Sequence, residues 1–137
     1  MKYRGIILGS SIVTAIGTSL YWMLYFTGVT LVVEYVPGYT TWFQSFILPD
    51  FWILLTSILL AVAVKTERKT MMITCGLLTA SGMIFLALNE LQFSINTGMI
   101  FMPLTDIGLD LVFKIYCLSF GAFYIKQFSG EISRQLN

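Results

Sequence analysis

Long uncharged, mostly apolar runs alternate with short charged segments along the chain, and that alternation predicts an all-α fold. A helix needs about 20 apolar residues to cross a hydrocarbon core of about 30 Å. Between Arg4 and Glu34 there are 29 uncharged residues, and 20 lie between Lys69 and Glu90. Each is long enough for one crossing. Between Asp50 and Lys65 only 14 residues are free of charge, so that helix has to recruit residues around Pro49. This draws Asp50 into the membrane edge, and Pro49 fits a first helical turn, where a missing N–H costs nothing. A last run carries Asp110 and Lys114 inside it and is the weakest of the four. The pattern gives a single-domain integral membrane four-helix bundle with spans at about 5–30, 47–65, 70–90 and 106–126.

Charge placement orients the spans. Seven of the eight basic residues (Lys2, Arg4, Lys65, Arg68, Lys69, Lys126 and Arg134) flank the N-terminus, the connection between the second and third spans, or the C-terminus. Cytoplasmic segments collect Lys and Arg, so both termini are expected in the cytoplasm. Glu34, Asp50, Glu90, Asp106 and Asp110 gather on the other side. Lys2 and Arg4 ahead of an apolar run mimic a signal peptide, but the run is too long for an h-region and no small-x-small site closes it.

Composition strengthens this picture. The chain is 57% hydrophobic and 11% charged, against about 25% charged in soluble domains, and its mean hydropathy is +0.83. A net charge of +1 without histidine excludes a basic nucleic-acid binder and histidine-based metal or acid–base chemistry. Cys75 and Cys117 stand outside any CxxC pattern and read as small apolar residues. No metal or cofactor is expected. The expected partners are the lipid bilayer, an amphiphilic small molecule, and a second copy packed through Gly5 and Gly9 or Gly76 and Ala80, whose small-xxx-small spacing suits close helix approach.

Ionisable residues within a span mark functional candidates. At 1.5 Å per residue, Lys114 stands about 18 Å above Lys126, Asp110 about 24 Å above it, and Asp50 about 22 Å above Lys65. A lysine stem can lift its ammonium to the carboxylate level, and Asp110 and Lys114 share a helix face at i, i+4. One cation and two anions are therefore expected in one layer of the outer half. Glu90, about 32 Å from Lys69, is expected at the rim with Asn89, Glu34 and Asp106. Ser10, Thr14, Thr18, Tyr21 and Tyr25 recur at helical spacing on the first span, a face that turns inward to bond other helices or line a cavity. Plainer readings stand beside these: an Asp110–Lys114 pair that only locks the bundle, Asp50 as an N-cap, and hydroxyls that serve helix packing. Tyr35, Tyr39, Trp42, Phe43 and Phe46 around Pro37-Gly38 read as an interfacial belt, or as a segment folded back over the helices. A polar-aromatic outer loop is expected over about 91–104.

Trp42-Phe43-Gln44-Ser45-Phe46, followed by Asp50, resembles a W-F-x-S-F-x-x-x-E stretch of the EXPERA superfamily, which includes emopamil-binding sterol isomerases and the sigma-2 receptor. The resemblance implies four or five helices and an acid at Asp50 facing a cavity for sterol-like or amphiphilic amine ligands. The chain looks equally like small four-span proteins of bacteria, which would place it in the plasma membrane. The expected function is binding of a lipid-like ligand in an outer-leaflet cavity, with Asp50, Asp110 and Lys114 meeting its head, and Glu90, Asn89, Thr18, Tyr21, Tyr25 and Trp42 around it. The alternatives are an accessory subunit with a structural ion pair, a proton- or ion-coupled transporter working as a dimer, and an EXPERA-like isomerase.

Overall fold

A computed structural model describes residues 3–29 and 36–136, without the side chains of 104–107, 109, 135 and 136. Lys2 and Glu34 therefore lie outside the described residues, as does the side chain of Asp106. The described chain is helical throughout: α1 (Arg4–Phe26), α2 (Tyr39–Gln44), α3 (Ile47–Lys65), α4 (Lys69–Asn96) and α5 (Leu104–Leu136), with a 3-10 turn at Met99–Phe101.

The helix ends follow from backbone chemistry. After α1, Gly28 takes φ +73°. Its N–H donates to Tyr25 O and that of Val29 to Leu24 O, which satisfies carbonyls the helix would otherwise leave unpaired. The first span thus stops at Phe26 rather than near residue 30. Gly98 (φ +76°) does the same for α4. That helix runs to Asn96 rather than ending near Glu90, because Leu91 to Asn96 hold no breaker, and the expected outer loop shrinks accordingly. Pro49 sits in the first turn of α3, where Asp50 N–H makes a helical bond to Phe46 O at 2.9 Å. The N-cap is Phe46 and no side chain caps it, so Asp50 is a first-turn residue and not the cap.

The turn from α3 to α4 contains no glycine. Glu67 occupies the left-handed position at φ +57°, and Arg68 N–H donates to Ala63 O. Arg4 holds the turn from across the protein, its guanidinium donating to Val64 O at 2.7 Å and pairing with the Glu67 carboxylate. That pairing holds the Glu67 carboxyl below its ordinary range. A carboxyl depressed in the folded state contributes stability above its unfolded pKa and loses it as pH falls through the folded value. Acidification below about pH 4 is therefore expected to loosen this corner, and Arg4→Gln to abolish that acid sensitivity, read by hydrogen exchange of the turn amides.

Side-chain contacts fix the directions. Arg4 meets the end of α3 and Trp22 its start. Ser94 meets Lys114, and Gly76 meets Phe128. Ser10 reaches Tyr124. The four long helices thus alternate in direction. The backbones of α1 and α3, α3 and α4, and α4 and α5 approach closely, whereas α1 and α5 are joined by tyrosine side chains that span a wider seam. Ile7, Leu60, Val64, Met83, Leu86, Tyr124 and Phe128 are among the buried core residues. Gly76 and Ala80 face α5 of the same chain, so of the two small-residue faces that of Gly5 and Gly9 has open space around it.

Outward-facing residues are as apolar as the core. Val13, Ile16, Phe51, Phe85 and Val112 are each about 60% exposed, and exposed large apolar side chains occur on all four long helices. Soluble proteins rarely tolerate apolar surface on that scale. Among the described residues, three segments are long and apolar enough to cross a membrane: Arg4–Phe26, Tyr39–Lys65 and Lys69–Thr97. The expected last span forms part of a longer helix, α5, which begins at Leu104 and continues ten residues past Lys126.

Candidate functional site

The polar layer is built at the end of the molecule where α1 finishes and α3 begins. The Asp50 carboxylate, on a residue 8% exposed, accepts from Trp22 Nε1 at 2.9 Å. A buried indole N–H requires an acceptor, and Asp50 supplies it. Above this pair α2 continues the line of α3: Ser45 and Phe46 between them keep right-handed helical dihedrals, and Tyr39–Lys65 makes one long apolar segment. Phe43 lies against Tyr21, Trp22 and Tyr25. Trp42 stacks on Phe93 of α4 with ring centroids 3.9 Å apart. Gln44 donates to the Tyr25 hydroxyl at 2.8 Å. Aromatic pairs are each worth roughly 1 kcal/mol beyond simple burial, so α2, as the first turns of that segment, ties α1 to α4.

The lysine has a different set of partners. Lys114, 7% exposed, pairs through Nζ with Asp110 one turn earlier and donates to Ser94 Oγ at 2.8 Å. Asp50 was expected to share this ammonium; its hydrogen bond instead comes from Trp22, which reaches it first from α1. Ser94 lies four residues after Glu90, on the same face of α4. Glu90, expected at the rim, is half-buried, and α4 continues past it to Asn96. Its Oε2 is enclosed and has no hydrogen-bond partner among the described residues. Glu90 feels the charges of Asp110, Lys114 and Asp50, and the Tyr21 hydroxyl feels Glu90, Asp50 and Asp110. Three carboxylates and one ammonium therefore share one electrostatic neighbourhood.

The other expected residues fall outside this group. Asn89 and Thr18 are half-buried, and no hydrogen bond joins either to the layer among the described residues. Tyr25 and Trp42 belong to the aromatic packing of α2 against α1 and α4. The hydroxyl stripe of α1 serves the seam with α5. Ser10 Oγ lies 2.7 Å from the Tyr124 hydroxyl, and Thr14 Oγ1 lies 2.7 Å from that of Tyr116. Sequence reasoning missed Trp22, Ser94, Tyr116 and Tyr124. Ser94 was findable from its spacing to Glu90, and the two tyrosines from their shared face, eight residues apart. The pairing of Trp22 with Asp50 left no trace in spacing.

A depression of about 460 Å³ lies at the opposite end, lined by Arg68, Lys69, Thr70, Met71, Thr74 and Cys75. Among the described residues no group of three or more His, Cys, Asp or Glu is arranged to hold a metal. The chain matches no protein-family model, no curated protein and no solved structure.

Proposed function

We propose that the chain is a four-span protein of the cell membrane, with both termini on the basic, cytoplasmic side, that binds a small amphiphile at the Glu90 layer. The observation that carries this reading is the enclosed, unpartnered Glu90 Oε2 beside Asp110 and Lys114. Evolved interiors rarely leave a carboxylate oxygen without a donor, and in a membrane an unmet one is costlier still. A ligand head that donates a hydrogen bond or carries positive charge would meet it, with its apolar body in the hydrocarbon. The resemblance around Trp42 and Asp50 points to the same ligand class. A second reading, a purely structural cluster in an accessory subunit, is favoured by the fully engaged Lys114.

Native mass spectrometry of protein released from mild detergent separates the two. The wild type is expected to retain a small molecule, and Glu90→Gln to lose it while keeping its helicity and unfolding midpoint. A wild-type protein free of bound molecules, together with a destabilised Glu90→Gln, would establish the structural reading instead.

A further inference from the structure

The basic end carries a second feature, independent of Glu90. The turn between α3 and α4 exposes Lys65, Arg68 and Lys69. Its one acid, Glu67, is committed to Arg4. The three cations are therefore left without an ion-pair partner among the described residues. Beside them opens the depression of about 460 Å³. Arg68, Lys69 and Thr70 are exposed, Met71 is half-buried and Cys75 is buried, so this open, shallow stretch of surface passes from charged to apolar side chains.

Thr70 and Thr74 stand one turn apart on that surface. The buried Thr14, Thr56 and Thr79 return their hydroxyls to a carbonyl four residues earlier. No such bond is made by Thr74, and neither Thr70 nor Thr74 spends its hydroxyl on any described residue. Two free hydroxyls, two guanidinium or ammonium groups and apolar side chains make a mixed surface. A soluble anion would use only its outer half.

We propose that this trough binds the phosphodiester headgroup of an anionic phospholipid in the leaflet on the basic side. Arg68 and Lys69 meet the phosphate, Thr70 and Thr74 donate to its oxygens, and Met71 and Cys75 lie along the glycerol and first acyl carbons. The trough covers the first two turns of a segment apolar enough to cross a membrane, which is headgroup level. Basic pockets at that level attract anionic lipid. The proposal rests on the membrane reading above but not on the Glu90 ligand.

The test uses full-length protein in vesicles of phosphatidylglycerol and phosphatidylcholine, with bound lipid counted by native mass spectrometry after gentle extraction. The wild type is expected to retain phosphatidylglycerol preferentially. Arg68→Gln with Lys69→Gln should weaken retention about thirtyfold, and Thr74→Val should weaken it less. The control pair Lys126→Gln with Arg134→Gln should retain it fully. Undiminished retention in the Arg68/Lys69 variant, or equal retention of phosphatidylcholine by the wild type, overturns the proposal. Displacement by inorganic phosphate at equal concentration would reassign the trough to a soluble anion. Protein that fails to float with the vesicles would overturn the membrane reading itself, a distinct result.

Discussion

Replacing Lys114 with methionine is expected to lower stability by about 3 kcal/mol, because removing one partner of a buried ion pair strands the other. Lys114 is 7% exposed and faces Asp110 and Ser94, and it is the cation whose charge Glu90 feels. Methionine keeps the length and apolar stem of the side chain, so packing changes little and the loss reports charge. Asp110 would then lose its counter-ion. Asp110→Asn alone should cost less, about 1 kcal/mol, since the ammonium keeps Ser94 and an asparagine oxygen can still accept. Combined with Lys114→Met, it should recover a good part of the loss, a coupling of about 1 kcal/mol or more in a double-mutant cycle. Thermal or denaturant unfolding in one detergent measures all three. A Lys114→Met protein within about 0.5 kcal/mol of wild type would class the pair with screened surface bridges and remove the electrostatic basis of the layer.

What the sequence made legible divides along a physical line. Runs between charges reported helix positions well, because the cost of burying a charge in an apolar span is large and local. The end of α3 at Lys65 was readable for that reason, whereas the apolar segment it belongs to reaches back to Tyr39, before the expected start near residue 47. Helix ends were less legible. The left-handed stops at Gly28 and Gly98 are set by backbone chemistry that outranks hydropathy, so α1 ended early and α4 ran past Glu90. The Asp110–Lys114 pair was readable because i, i+4 spacing is a property of one helix. The partners of Asp50 and Lys114 on other helices were not. Whether an indole or an ammonium reaches Asp50 depends on how α1 rotates against α3, and no periodicity within either helix encodes that angle. The small-residue pair Gly76 and Ala80 was visible as a close-packing face, but its partner turned out to be α5 of the same chain.

Gly76→Ala is the substitution that tests this α4–α5 contact, and it is expected to destabilise the protein by about 3 kcal/mol, at the upper end of overpacking effects. A Cβ at Gly76 would overlap the ring of Phe128. That ring is fully buried and lies edge-on to Tyr124, so it has nowhere to swing. The neighbouring contact is also close, with Gly121 of α5 set against Ile84 and the Ala80 carbonyl, which denies the helices the option of sliding apart. Phe128→Leu in the same chain should relieve the overlap, leaving the double variant more stable than Gly76→Ala alone although Phe128→Leu by itself loses buried area. Gly9→Ala provides the contrast. Nothing lies within 4 Å of a Cβ there, and alanine is favoured over glycine in a helix by roughly 1 kcal/mol, so the midpoint should hold or rise. An unchanged midpoint for Gly76→Ala would mean that α4 and α5 do not meet at that position. The register that brings Ser94 to Lys114 depends on the same helix pair, and it would fall with that contact.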